Sequence, residues 1–303
     1  MPLPPSSFLR LGSVERLKAS LNSAAPFLRR GANFVFICGA TSSPGRPEPL
    51  RDVLLNYAKK HYGMTRFFRA ENILDTLRRS SRADLLTLED KIGEYSDCII
   101  IVCESESAFA ELGAFALSDK LVRQLLVVND QRYRESQSFI NLGPVARANL
   151  KSKFKPTIYA DFRAILRSVV EIDERLKSIP GTYRKSVPLA SVQEFRTATS
   201  KCRVLFLADL IHIFGPITPT ELTLILKALY GDESFDVDLE VGLLRSLRFI
   251  ERSKEDWLRC APREPSFFYD YCGVECTMLR ASIVRDYFQK DPARLRLLQP
   301  LPP

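Results

Sequence analysis

Three glutamates, Glu104, Glu106 and Glu111, crowd into the segment YSDCIIIVCESESAFAELGAF at 95–115. A carboxylate that stays ionised while losing part of its hydration is a workable nucleophile toward a sugar anomeric carbon. Glu111 has the best setting for this. It is expected about one turn into a helix, with Leu112 and the small residues Gly113 and Ala114 beside it suggesting close packing on a sheet. Desolvation on the pocket side raises a carboxyl pKa, and a nearby helix N-terminus holds the group ionised. The alternative is a glutamate that stabilises the first helical turn by its charge.

The elements around these residues follow from the pattern. Cys98–Cys103 is an unbroken apolar, largely β-branched run, as in a strand buried on both faces of a parallel sheet. The polar loop Glu104–Ser107 follows, with Ser107 the expected N-cap of a helix over Ala108–Leu117. In open α/β sheets ligands bind beyond the carboxyl ends of the strands, which is where this loop falls. Upstream, Phe34–Cys38 reads as the first strand, and Gly39 permits a close turn after it. Leu50–His61 reads as an amphipathic helix, Thr65–Arg69 as a strand and Asp84–Glu94 as a helix. Downstream, Gln124–Asn129 and Thr157–Ala160 read as strands and Phe162–Leu176 as a helix. Alternating helices and buried apolar strands predict a flavodoxin-like, doubly wound α/β parallel sheet. The connection Ser138–Arg147 between the last two strands is long, and such loops are often functional.

This predicted domain spans 32–177 and is preceded, within 1–31, by a leader helix over Ser13–Arg30, where Val14, Leu17, Leu21 and Ala24–Ala25 share a face. Pro180, Gly181 and Pro188 mark 178–200 as a linker. Over 201–285, three helices (Lys201–Phe214, Thr218–Tyr230, Asp236–Leu247) and a hairpin (Phe249–Ala261) predict a winged helix–turn–helix, followed by a tail at 286–303. Thr218 or Thr220 suits the cap of its second helix, and Pro219 suits the first turn.

Charge is uneven. Of the net +8, residues 1–160 hold 23 Lys/Arg against 16 Asp/Glu, and residues 161–303 hold 21 against 20. A basic N-terminal half fits a phosphate-bearing substrate or a polyanionic partner, or is diffuse solvating charge. The near-neutral C-terminal half argues against autonomous DNA binding. So do Asp232, Glu233, Asp236, Asp238 and Glu240 before its third helix, although Arg245, Arg248, Arg252, Lys254 and Arg259 form a local basic set. The seven cysteines are scattered, and several sit in strand-like or helical runs, as reduced thiols do in a cytosolic protein. With two histidines, His61 and His212, and Cys272 and Cys276 lacking a nearby His, no metal site is expected. No apolar run reaches membrane-spanning length, and the first residues lack a signal-peptide pattern.

Three motifs together carry a family resemblance: ICG at Ile37–Gly39, ESxSxxxELGAF at Glu104–Phe115 and SFINLGPV at Ser138–Val145. They resemble the nucleoside deoxyribosyltransferases and, more closely, the deoxyribosyltransferase-like effectors of retron antiphage systems, which add a C-terminal winged helix. The resemblance implies that Glu111 is the nucleophile. It implies that Cys38, Gly39, Glu104, Glu106 and Ser107 line the substrate site, with further contacts at Ala70–Asn72, Glu71 among them. Glu104 and Glu106 would position ribose hydroxyls or stabilise transition-state charge, or remain solvated. Asn141 would reach a neighbouring subunit's site in a homo-oligomer, or would stabilise a turn in its own chain; Leu142 replaces the family's usual aromatic residue. The implied partners are the retron reverse transcriptase and its msDNA, a DNA–RNA hybrid. The implied chemistry is N-glycosidic cleavage, with NAD as substrate and no cofactor. Nicotinamide leaves a pyridinium as a neutral molecule and needs no general acid, which suits a motif without a nearby His. The alternatives are a nucleoside or nucleotide deoxyribosyltransferase or hydrolase, and a nucleotide-sensing winged-helix DNA-binding regulator.

Overall fold

The computed structural model describes residues 12–71, 73, 93, 95–180, 184–231, 234–253, 255–262 and 267–298. The chain separates into two compact units. One comprises Ala32–Glu71 and Arg82–Thr182, and the other Met1–Gly31, Asn72–Ser81 and Tyr183–Pro303.

The second of these units contains α1 (Ser13–Ser23) and β1 (Phe27–Leu28). The expected leader helix thus ends before Ala24, and the next residues turn into a short strand. Val14, Leu17 and Leu21 bury the predicted face of α1.

The sheet unit follows with β2 (Asn33–Cys38), α2 (Leu50–His61), β3 (Thr65–Phe68), β4 (Cys98–Val102), α3 (Glu106–Leu117) and β5 (Leu125–Asp130). A π-helical turn (Asn141–Val145) leads into α4 (Ala146–Lys151), then β6 (Ile158–Ala160), a 3-10 turn (Ile165–Ser168) and α5 (Val169–Leu176). All strand pairs are parallel, in the order β3-β2-β4-β5-β6. This is an α/β sheet whose order is compatible with a doubly wound fold of the flavodoxin type. Every residue of β4 and β5 is buried, which accounts for the unbroken apolar sequence of β4 and of β5 as far as Val128. Successive side chains alternate between sheet faces. Val35, Ile37, Ile100 and Val128 pack with Leu54 and Leu55 of α2 and Val169 and Ile172 of α5. On the opposite face Phe36 meets Phe115 of α3 at 6.3 Å between ring centroids.

Two expectations are corrected here. The 138–147 connection is helical from Phe139 and contains the π turn, not a loop. Phe162–Leu176 is a 3-10 turn followed by a helix of eight residues, not one long helix. The helix expected at Asp84–Glu94 falls on residues 84–92 and 94, outside the described residues.

The remaining unit continues with β7 (Lys185–Ser186), α6 (Val192–Thr197), α7 (Ser200–Phe214), α8 (Pro219–Tyr230), α9 (Asp238–Ser246), the antiparallel hairpin β8 (Ile250–Arg252) and β9 (Leu258–Cys260), β10 (Tyr269–Asp270), α10 (Cys276–Lys290) and α11 (Pro292–Leu295). Residues 178–200, expected to link, contribute β7, α6 and the buried Val187, Leu189 and Phe195. β7 pairs with β1, which pairs with β10. The boundary expected at 285 falls inside α10. Thr218 caps α8 with Glu221 in a reciprocal capping box and Pro219 in the first turn. Arg294 of α11 forks onto the same Glu221, donating at 2.7 and 3.1 Å, and is 2% exposed in its side chain. Among the described residues no helix is long and apolar enough to cross a membrane, and no cluster of His, Cys, Asp and Glu could hold a metal ion.

Candidate functional site

The connections after β2, β4 and β5 enclose a cleft of about 500 Å³ at the carboxyl edge of the sheet. β2 and β4 are neighbours, and the chain crosses from one side of β2 to the other between β3 and β4. The cleft therefore lies at the switch in strand order, where doubly wound sheets bind ligands. It is lined by Glu104, Glu106 and Phe109 after β4, Asp130, Arg132 and Tyr133 after β5, Arg46 and Glu48 after β2, and Phe162 after β6.

Glu104 borders the cleft, but its carboxylate is engaged by backbone. Oε1 accepts from the Ala40 and Arg51 N–H groups at 3.1 and 2.9 Å, and Oε2 from Leu50 N–H at 2.7 Å. Leu50 and Arg51 open α2, so Glu104 supplies the anion its N-terminus attracts. Gly39 makes the approach possible: a Cβ there would stand 2.7 Å from Glu104 Oε1 and 2.6 Å from Arg51 Cβ. Cys38 is the buried last residue of β2.

Arg51 is 4% exposed in its side chain and donates from Nη1 to Glu71 at 2.8 Å. Asp52 accepts from Arg69 at 3.0 Å and Ser42 at 2.8 Å. Glu71 is thus held by a buried guanidinium just after β3 and is not among the residues lining the cleft. Of the Ala70–Asn72 contacts, Asn72 lies outside the described residues.

Helix α3 begins two residues earlier than its sequence pattern suggests. Ser105 is the N-cap, accepting from Ala108 N–H at 3.3 Å, and Ser107 is an exposed first-turn residue whose hydroxyl lies 3.0 Å from that of Ser105. Ala108, Leu112 and Phe115 form its buried stripe. At about 100° per residue, Phe109 flanks one side of that stripe and Glu111 the other. Phe109 and Glu106 line the cleft, and Glu111 is not among its lining residues. Glu111 is half-buried, with Oε2 screened from solvent.

Asn141 bonds within its own chain. Its Nδ2 donates to the Tyr133 and Ser136 carbonyls at 2.6 and 2.9 Å, and its Oδ1 accepts from Asn129 Nδ2 at 3.4 Å. It thereby clamps the turn that carries Arg132 and Tyr133. Asp130 is buried. Arg132 donates to it from Nε and Nη2 at 2.9 and 2.6 Å, and its backbone N–H adds a bond at 2.9 Å. The Arg132 guanidinium holds the Asp130 carboxyl below its ordinary range, against the opposing effect of burial. Burial pushes the Cys103 thiol in the cleft wall up to about 12, which leaves it unreactive as a nucleophile.

Sequence reasoning missed Phe109, Asp130, Arg132, Tyr133 and Phe162. The available signal was the Asn129–Asp130 pair closing an apolar strand, followed by QRYR.

Comparison with known proteins gives this site its context. The family model described as STM3845 retron effector protein matches residues 47–252. This chain belongs to that retron effector family. Two relatives of the effector from Escherichia coli are named as candidate ribosyltransferase and DNA-binding proteins. That of retron Ec73 is 32% identical over 285 residues, covering 88% of each chain. That of retron Ec86 is 34% identical over 286 residues, covering 88% of this chain and 85% of its own. The effector thus acts in retron-associated antiviral defence, and its matched region takes in the cleft residues from Pro47 onward and helices α7 to α9.

Proposed function

We propose that this retron effector is a toxic N-glycosidase that cleaves NAD to nicotinamide and ADP-ribose with Glu111 as nucleophile. The observation that carries the reading is the acidic, aromatic-lined cleft at the strand-order switch, in a chain whose relatives bear ribosyltransferase names. Phe109, Tyr133 and Phe162 offer flat apolar surface for planar rings. Glu111 supplies a partly desolvated carboxylate on the same helix as Glu106. Attack at the anomeric carbon passes through an oxocarbenium-like transition state, the glycosidic electron pair leaves with nicotinamide, and water then releases ADP-ribose. Because Glu111 flanks α3 on the side away from the cleft-lining residues, catalysis by this residue requires substrate to reach that flank. Glu106, unlike Glu111, already lines the cleft.

The proposed restraint is docking to the retron reverse transcriptase and its msDNA, through the unit holding α7 to α9 and the β8–β9 hairpin, read as a winged helix. Two basic residues of that region are engaged internally: Arg252 with Asp256 at 3.1 Å and Arg259 with Glu251 at 2.6 Å. Free duplex DNA should therefore bind weakly, and nanomolar sequence-specific binding by the full chain would favour the regulator reading instead. The active species is proposed to be a homo-oligomer. Full activity from a chain that stays monomeric in light scattering across a concentration series contradicts that part.

The test of the main reading is incubation of the purified effector, with and without its retron partners, with NAD, nucleosides and nucleotides. Nicotinamide release from NAD, suppressed by the partners, is expected. Release of bases from nucleosides with NAD untouched points to the deoxyribosyltransferase or hydrolase alternative.

A further inference from the structure

The turn after β5 presents a guanidinium in a way that the sequence motifs do not address. Arg132 is 67% exposed in its side chain and lines the cleft, while its partner Asp130 is 4% exposed. One edge of the guanidinium, Nε and Nη2, is locked on Asp130 Oδ2. Asp130 is itself fixed at the strand end: its N–H donates to the Asn129 side chain at 2.9 Å, and its Oδ1 accepts the Arg132 N–H. Among the described residues Arg132 Nη1 has no acceptor. The guanidinium carbon also lies 5.5 Å from the centroid of the Tyr133 ring. The turn beneath is held by both carbonyl contacts of Asn141. A flexible surface arginine loses rotamer entropy when it binds an anion. One held on a buried carboxylate has already lost it, so its outward N–H groups are ready for a ligand.

The other charged groups around the cleft sharpen the assignment. Glu104 is bound by three backbone N–H groups, Asp130 by Arg132, and Glu48 accepts from Asn56 at 2.7 Å. Arg46 adds a second cation from the loop after β2. The N-terminus of α2 is filled by Glu104 and is closed to a phosphate. An incoming phosphate therefore finds its donors at Arg132, with Arg46 as additional charge.

We infer that Arg132 is the specificity-determining residue that makes this cleft take phosphate-bearing nucleotides in preference to nucleosides. The inference rests on the nucleotide-cleaving reading above for the identity of the cleft, and it deepens that reading by naming the group that recognises phosphate. Guanidinium is suited to it because its planar donors match phosphate oxygens.

The experiment is calorimetric titration of the full chain with ADP and, separately, with adenosine. The parent should bind ADP more tightly than adenosine. Arg132→Gln should weaken ADP by at least about tenfold while leaving adenosine unchanged, the size expected for charge-assisted hydrogen bonds. Arg132→Lys keeps a cation beside Asp130, which guards the local fold, and should fall between the two. Equal affinity of the parent for ADP and adenosine, no binding of either, or equal loss of both in Arg132→Gln overturns the inference. A parent that prefers ADP through Arg132 yet releases no nicotinamide from NAD sinks the proposed activity and leaves the Arg132 assignment standing.

Discussion

Glu104 and Asp209 each accept two or more backbone N–H groups from distant segments, and of the two only Glu104 lines the cleft. Glu104 gathers Ala40, Leu50 and Arg51 at the rim of the cleft. Asp209, in the other unit, is 1% exposed and accepts from Phe268 and Tyr269 N–H at 2.8 and 2.9 Å and from the Tyr271 hydroxyl at 3.1 Å. Asp209 fastens β10 to α7; Glu104 fastens the loop after β2 and the start of α2 to the end of β4. An acidic residue beside a pocket is thus no sign of chemistry by itself. Once its acceptor sites are taken by backbone, it is a tie, and the proposed chemistry is assigned to Glu111, with Glu106 positioning substrate.

The comparison can be broken most severely at Asp209. Asp209→Ala leaves two N–H groups and a hydroxyl buried without their acceptor, at about 1–3 kcal/mol for each orphaned group. Thermal melting should show a loss of several degrees or failure of that unit to fold. The pH response separates its charge from its geometry. Burial pushes the Asp209 carboxyl up to about 7, against the pull of its three donors, and burial with nearby Arg280 lowers His212 on the same helix to about 4. Between pH 4 and 6.5 the folded state holds the Asp209 proton that the unfolded chain releases, so this stabilisation declines as pH rises. Over the same range the unfolded chain protonates the imidazole that the folded state keeps neutral, so the His212 contribution grows as pH rises. The two largely offset each other. His212→Gln should therefore expose stability that falls from pH 4 toward 7, and a flat profile in that variant contradicts the Asp209 assignment.

Glu104→Gln is the milder break. An amide keeps one acceptor and brings a donor toward N–H groups that need none, so the loss should be about 1–3 kcal/mol. It should be local, seen as faster hydrogen exchange at Leu50 and Arg51 with the remaining sheet amides protected. Unchanged exchange there means that Glu104 is not the tie its contacts suggest.

These two carboxylates also mark where sequence stops being informative. The apolar run of β4, the limits of α2 at Leu50 and His61 and the Thr218 cap of α8 are legible because each depends on neighbours in the chain. The Glu104 tie is not, because its donors lie 53 to 64 residues upstream. The sheet of β1, β7 and β10 is equally hidden, since each strand has two residues and β1 pairs with strands far downstream in the sequence. Ser105 and Ser107 are both competent caps, and which one accepts from Ala108 is decided by how the chain leaves β4. Asn141 sits in a motif that suggests a partner subunit, yet its amide closes a turn of its own chain. The cleft residues Asp130 and Arg132 follow a readable strand end, but their pairing depends on a turn that the residue types alone do not specify.

The central claim is that the Glu111 carboxylate forms the bond to the sugar. The direct measurement is nicotinamide released from NAD by Glu111→Gln and Glu106→Gln, with melting recorded for both. Glutamine at position 111 keeps the shape and removes the anion, so the account predicts melting within about 1 kcal/mol of the parent and turnover lower by orders of magnitude. Glu106→Gln should show a smaller loss, because the role proposed for Glu106 is to position substrate. A Glu111→Gln protein that melts normally and cleaves near the parent rate contradicts the account and makes Glu111 a structural residue of α3; if Glu106→Gln is then the inactive variant, the nucleophile stands at the cleft.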